Sequence, residues 1–261
     1  MRIDASTHAL VTGASKGIGR ALAEALAARG AAVGLAARGA DEAQAAALGG
    51  RAIALPCDVA DAASVQGAVE RFAAEAGGLD LVIANAGVAH YGRFESQDPE
   101  LHERMTRINW LGTVHTARAA LPHLRAGGGG HLAIVSSGAG LRAFPEAAVY
   151  GATKAAQRAF AEALRHELAG SGVSVTTVFP GEIVSSLHDH EKATMPAWYH
   201  GDERAAPASE LAAAVLAGIE ADKRRVAYPR EVSLLALNAV APGLVDRLLR
   251  RLRGPSAAPR R

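Results

Sequence analysis

Apolar runs of strand length alternate with helical patterns along most of this chain. Residues 7–12 (THALVT) read as a short buried strand. Residues 18–29 (IGRALAEALAAR) read as an Ala/Leu helix with polar residues on one side, ended by Gly30. Further strands are predicted at 32–37 (AVGLAA), 51–57 (RAIALPC), 79–84 (LDLVIA), 131–136 (HLAIVS), 173–179 (VSVTTVF) and 225–228. Helices are expected near 41–48, from an Asp61 N-cap to about 76, over 99–126, over 148–169 and over 207–222. Strand and helix in strict alternation imply right-handed crossovers and a parallel sheet covered on both faces. The fold class is therefore α/β, with a doubly wound, seven-stranded parallel sheet in three layers, α/β/α.

No linker interrupts this rhythm, so residues 1–230 are expected to form one domain. One segment departs from it: 182–206 (EIVSSLHDHEKATMPAWYHGDERAA) is long, mixed in composition and rich in aromatics and His. It leaves the carboxyl end of a strand, where open α/β sheets bind their ligands, and so reads as a substrate lid. Beyond 230 the chain continues as REVSLLALNAVAPGLVDRLLRRLRGPSAAPRR. Residues 231–252 read as one or two short amphipathic helices around Pro242–Gly243. Leu234, Leu235, Leu237, Val240, Leu244, Val245, Leu248, Leu249 and Leu252 could line one apolar face. Three roles compete for this extension: packing back over the cleft, a contact between subunits, or a peripheral membrane contact.

Charge narrows the partners. The net charge of +2 gives no footprint for nucleic acid. It is uneven, because residues 222–261 carry ten Lys/Arg against three Asp/Glu, a local +7. The single cysteine, Cys57, allows no disulfide within the chain and reads as a small buried residue, which suits a reducing cytoplasm. No signal-peptide pattern opens the sequence, and no run of about 18 apolar residues reads as a membrane span; a cytoplasmic location is expected.

Candidate chemistry begins at TGASKGIG, residues 12–19, between the first strand and the first helix. Gly13, Gly17 and Gly19 permit a tight turn, close approach of a pyrophosphate, and close helix–strand packing. The helix N-terminus adds free N–H groups and a favourable dipole. An acid at the end of the second strand would bind a ribose 2′-OH; this chain has Ala37 there and then Arg38. A guanidinium suits a 2′-phosphate, and Lys16 adds a second cation, so NADP(H) is the expected cofactor. Asp58 is placed to reach the adenine amino group, or to cap the next helix.

A tyrosine and a lysine sit four residues apart in YGATK, residues 150–154. At i and i+4 of a helix they share a face. A lysine beside a phenol favours the phenolate and is expected to lower the Tyr150 pKa. A phenol so tuned can pass a proton to or from an alcohol oxygen. Ser136 and Ser137 end the fifth strand at the neighbouring position, where a hydroxyl can polarise a carbonyl. His188, His190 and His200 lack carboxylate or Cys partners at ligand spacing, so no metal is expected.

These residues together resemble the classical short-chain dehydrogenases/reductases, over roughly residues 5–230. The pieces stand in order: TGASKGIG at 12–19, Asp58–Val59, ANAG at 84–87, Asn109, Ser137, Tyr150 and Lys154, and PG at 180–181. The resemblance implies a Rossmann-type fold and an oxidoreductase of CH–OH and C=O groups. It implies Tyr150 as general acid/base, Lys154 as holder of the nicotinamide ribose, and Ser137, rather than Ser136, as the residue that orients substrate. It also implies Asn109 as the holder of a water in the proton relay. Ser15 and Ile18 of the turn, Val59, Asn85, Ala86 and Gly87 match the cofactor-binding positions. Pro180, Gly181, Ile183 and Ser185 match the stretch beside the nicotinamide, with Ser185 where Thr is usual. Ala84 stands where the family has Asn. A homodimer or homotetramer through the helices at 99–126 and 148–169 is the family's expectation.

The substrate walls are expected at 88–94 (VAHYGRF), at 138–146 (GAGLRAFPE) and in the lid. Leu141, Phe144, Met195, Trp198 and Tyr199 favour a hydrophobic ketone or secondary alcohol over a sugar or phosphate ester. Two alternatives stay open: an NADP(H)-binding sensor or scaffold without turnover, and an epimerase or dehydratase on the same fold.

Overall fold

In the computed structural model, seven strands form one parallel sheet in the order β3-β2-β1-β4-β5-β6-β7. They are β1 (His8–Thr12), β2 (Ala32–Ala37), β3 (Ala52–Pro56), β4 (Leu81–Ala84), β5 (Gly130–Val135), β6 (Val173–Pro180) and β7 (Arg225–Tyr228). The structure describes residues 1–185, 187, 195–196, 205–243 and 245–247. Helices α1 (Gly17–Ala27), α2 (Glu42–Ala46), α3 (Ala62–Ala76), α4 (Pro99–Met105), α5 (Gly112–Ala126), α6 (Ala148–Glu167) and α7 (Ala208–Glu220) connect the strands. One face of the sheet packs on Leu22 and Leu26 of α1 and on Leu211, Val215 and Ile219 of α7. The other packs on Phe72 of α3, Leu124 of α5 and Leu164 of α6. Every residue of β2 is buried, which is why AVGLAA shows no alternation of apolar and polar positions.

The strand order reverses between β1 and β4, both of which pair with their neighbours in parallel. A crevice opens where the loops after these two strands diverge, and the site lies there. Asp61 caps α3 as expected, its carboxylate accepting from the Ala63 N–H at 2.9 Å.

Two expected helices are present with a different winding in part. The single helix predicted over 99–126 is α4, a π turn (Thr106–Leu111) and α5. Side chains compete for the backbone there: the hydroxyl of Thr113 donates to the Asn109 carbonyl at 2.8 Å, and so does the amide of Gln157, also at 2.8 Å. The extension after β7 begins, as expected, with a helix, which is of the 3-10 type over Arg230–Ala239. The ends of the expected lid are tied together, since Ala206 donates to the Glu182 carbonyl and Val184 to the Ala206 carbonyl, each at 2.9 Å. Trp198, Tyr199 and the three lid histidines, His188, His190 and His200, lie outside the described residues. So do Leu244, Leu248, Leu249 and Leu252 of the extension. No helix among the described residues is long and apolar enough to cross a membrane.

One core residue makes stability depend on pH. His131 of β5 is buried, with Nε2 2.8 Å from the Thr176 hydroxyl. Burial disfavours its charged form and lowers its pKa from 6.5 to about 4. Between those values the unfolded chain binds a proton that the folded chain refuses, so stability falls as pH falls. The expected loss from this group is about 2 kcal/mol at pH 5 relative to pH 7.5. Urea midpoints at both pH values, compared with those of His131→Gln, measure it; the variant should lose that part of the pH dependence.

Candidate active site

The crevice is a cavity of about 700 Å³ at the carboxyl ends of the strands. All the cofactor positions read from the sequence line it. Gly13, Ser15, Lys16, Gly17, Ile18 and Gly19 come from the turn after β1, Arg38 from the end of β2, and Asp58 and Val59 from the end of β3. Asn85, Ala86 and Gly87 follow β4, Pro180, Gly181, Ile183 and Ser185 end or follow β6, and Tyr150 and Lys154 project from α6.

The turn is built for an anion. Gly13 and Gly17 have φ of 68° and 57°, a region that disfavours any side chain. A Cβ on Gly19 would collide with the Gly13 carbonyl and stand 2.6 Å from the Asn85 amide nitrogen. Lys16 precedes α1 without a side-chain cap, so the first N–H groups of the helix remain available. The turn is locked onto β4, because the Thr12 hydroxyl accepts from the N–H groups of Asn85 at 3.0 Å and Ala86 at 3.1 Å. A nucleotide pyrophosphate fits this cradle. Lys16 and Arg38 are exposed at its rim and make no ion pair among the described residues. Asp58 turns back on its own loop, accepting from the Ala60 N–H at 3.0 Å, while the helix cap is Asp61.

At the other end, Ser137 and Tyr150 both line the cavity, with the serine hydroxyl near enough to favour the phenolate. The Ser137 oxygen accepts from the Ala139 N–H at 3.1 Å, which leaves its proton for the phenol or a substrate oxygen. The Ser136 hydroxyl is engaged elsewhere, donating to the Lys154 carbonyl at 2.7 Å and so bracing α6 on β5. Lys154 is buried, donates from Nζ to the Val135 carbonyl at 3.0 Å, and lies 5.8 Å from the centre of the Tyr150 ring.

The expected lowering of the phenol is not what this arrangement produces. Burial raises the Tyr150 pKa, and the nearby Ser137 hydroxyl only opposes that rise. The same burial lowers Lys154 to about 7, so the ammonium is only partly charged at neutral pH and exerts a weaker pull than a solvated lysine.

Asn109 is fully buried in the π turn and does not line the cavity. Its side-chain oxygen accepts from the Val88 N–H at 2.8 Å, and its amide donates to the Val88 carbonyl at 2.9 Å and the Thr153 hydroxyl at 3.1 Å. Its own carbonyl takes the Gln157 and Thr113 donors. With both groups engaged inside the protein, Asn109 braces the Gly87–Val88 stretch against α6 rather than presenting a free water-holding oxygen. Gln157 could not have been singled out from the sequence, because its partner is 48 residues away.

Of the residues expected to wall a substrate, some line the cavity and some do not. Phe144 lines the cavity; Leu141 does not, since its side chain is buried where the chain closes a 3-10 turn at Gly138–Gly140. Met195 packs on the apolar cluster that contains Tyr91, Ala139 and Tyr150 without facing the cavity. The sequence reading missed His90, Tyr91, Ala147, Leu187 and Leu235 as individual wall residues. Tyr91 stacks edge-on to Tyr150 with ring centres 5.9 Å apart.

Comparison with known proteins agrees with this geometry. Residues 7–196 match the family described as short chain dehydrogenase. A glycine betaine reductase of Emericella nidulans, ATRR, is 38% identical over 184 residues, which are 69% of this chain and 14% of that much longer protein. A short chain dehydrogenase from Burkholderia cenocepacia J2315 in complex with NADP superposes with a TM-score of 0.80 at 30% identity, covering 95% of this chain and 100% of that one. A 3-ketoacyl-(acyl-carrier-protein) reductase from Brucella melitensis complexed with NADH superposes with a TM-score of 0.77 at 27% identity, covering 87% and 98%.

Proposed function

The chain belongs to the short chain dehydrogenase family, and on that premise we propose that it is an NADP(H)-dependent oxidoreductase interconverting a hydrophobic ketone and its secondary alcohol. The observation that carries this reading is the pair of hydroxyl side chains, Ser137 and Tyr150, which line one cavity with the apolar side chains of Phe144, Ala147, Leu187 and Leu235 and the polar ones of His90, Tyr91 and Arg104. Two hydroxyl donors there can meet one substrate oxygen, while the apolar side chains take the substrate's carbon skeleton.

The turn at 12–19 would hold the pyrophosphate, Lys16 and Arg38 the 2′-phosphate, and Lys154 with Gly181 the nicotinamide end. When bound, the nicotinamide supplies the hydride in reduction or accepts it in oxidation. Ser137 orients the carbonyl oxygen. Tyr150 gives that oxygen its phenolic proton in reduction and takes it back in oxidation. Because burial raises the phenol, Tyr150 keeps its proton through neutral pH, the state that reduction requires. Lys154 sits close enough to offset the phenolate left behind. Asn109 acts on this machinery as a positioning residue.

Oxidation of NADPH, with NADH in parallel, across aromatic, steroid and long-chain ketones and a set of phosphorylated sugars tests the reading. Turnover confined to the apolar ketones and favouring NADPH is the expected result. Tight NADPH binding with turnover of none of them would instead support a cofactor-binding protein without catalysis.

A further inference from the structure

The 3-10 helix after β7 sets one side into the cavity. Such a helix has three residues per turn, so Val232 and Leu235 stand in line. Both press on Gly138, the residue after Ser137. A Cβ there would lie 3.2 Å from Leu235 Cδ1 and 3.3 Å from Val232 Cγ1. Val232 also rests on Gly181, where a Cβ would lie 2.8 Å from its Cγ2. The row therefore bridges the loop that carries Ser137 and the turn that follows β6. Leu235 is half-buried and lines the cavity, so part of its surface is open to whatever enters.

This wall is fastened on both sides of Leu235. Before it, the Gly181 N–H donates to the Tyr228 carbonyl at 2.8 Å, one residue ahead of Pro229. After it, Val245 is buried and Arg142 ion-pairs with Asp246, tying the extension back to the loop after β5. The same Arg142 guanidinium lies 5.6 Å from the centre of the Phe144 ring, and Phe144 lines the cavity too. A leucine on a backbone held in this way cannot swing aside for a longer ligand, because its neighbours on either side are packed or paired.

We propose that Leu235 is a specificity-determining residue, the stop that limits how large an apolar substituent of the substrate carbonyl can run past Ser137 on the Gly138 side. The proposal rests on the apolar-ketone reading of the same cavity. Leu235 contributes no donor or acceptor, so it selects by volume alone. Each methylene that finds room in an apolar pocket raises affinity about 4-fold, and one that meets a packed wall gains nothing or loses. Replacing leucine by alanine removes three carbons, which opens room for about two methylenes.

The probes are symmetric ketones, from 3-pentanone through 4-heptanone and 5-nonanone to 6-undecanone. Both arms grow together in this series, so the arm that meets Leu235 is always lengthened. Calorimetric titration of the full chain loaded with NADP+ reads binding without turnover, because the oxidised cofactor has no hydride to give. In the parent, affinity is expected to climb along the series and then stop. In Leu235→Ala the stop should move to a longer ketone, and the first ketone beyond the parent's stop should bind about 10-fold more tightly than to the parent. Leu235→Trp should move the stop to a shorter ketone. Leu235→Val, a smaller change, serves if Leu235→Ala does not fold. A residue that only packs would weaken every ketone alike when truncated, so the gain for long ketones is the distinguishing result. Ladders that stop at the same ketone in parent and variants overturn the proposal, and so does a parent that binds none of the ketones. Oxidation of NADPH with the same series keeps the two readings apart. Shifted binding ladders without turnover would sink the ketone reductase reading and keep Leu235 as the stop; turnover with unshifted ladders would do the reverse.

Discussion

Replacing Tyr150 by Phe is expected to lower kcat about 10³-fold while the NADPH dissociation constant stays within about 2-fold. The substitution removes one oxygen and little else. Tyr150 is buried, its ring packs edge-on against Tyr91, and a phenylalanine ring keeps that contact. The Ser137 oxygen still accepts from the Ala139 N–H, so the loop after β5 keeps its shape. The stability change from removing one hydroxyl is at most about 1 kcal/mol. The rate cost is larger, because that oxygen is the proton's source in reduction and its destination in oxidation. A 10³-fold loss corresponds to about 4 kcal/mol of barrier. Steady-state NADPH oxidation with the best ketone of the panel, beside a fluorescence titration with NADPH, separates the two effects. Turnover at the parent's rate would remove Tyr150 from the proton transfer. A parallel loss of NADPH affinity would mean that the phenol serves the cofactor instead.

Much of this site can be read before folding, for a physical reason. Both faces of the sheet are covered, so its strands are written as unbroken apolar runs such as AVGLAA and LVIA, each ending where a loop must turn. The turn at 12–19 is legible because close approach of backbone to backbone leaves glycine as the residue that fits; Gly19 lies against the Gly13 carbonyl. Tyr150 and Lys154 share one turn of α6, so sequence spacing alone puts them on one face.

What escaped the sequence depends on contacts between distant segments. The π turn exists where Gln157, Thr113 and Asn109 meet, and no window along 99–126 contains all three. Leu235 enters the cavity from a segment that follows the last strand. Leu141 reads as a wall residue from its position near Ser137, but the 3-10 turn at Gly138–Gly140 rotates it into the core. The phenol's direction of shift is not legible from spacing, because the i, i+4 rule gives proximity, whereas burial of both groups decides which influence wins. Spacing places a lysine beside a tyrosine; it does not say how much water either one keeps.

Water decides the second large effect too. Arg38 is exposed at the cavity rim, follows a buried Ala37, and has no ion pair among the described residues. Nothing in the fold leans on its charge, so Arg38→Asp should leave the melting temperature nearly unchanged. Its effect should fall on the choice of cofactor. The guanidinium offers a 2′-phosphate charge-assisted bonds worth about 1.5–3 kcal/mol, and the carboxylate would replace that attraction with repulsion. Toward NADH the change runs the other way, since a carboxylate can accept from a free ribose 2′-OH. Lys16 remains on the same rim and keeps part of the attraction, which limits the change. The ratio of kcat/KM for NADPH to that for NADH is expected to fall about 10²-fold, with the larger part in KM. The measurement is that ratio for parent and variant at one low salt concentration, because screening would shrink the difference. A ratio that does not move would show that Arg38 does not read the 2′-phosphate. If Lys16→Ala then moved it, the discrimination would belong to the turn after β1 and not to the end of β2.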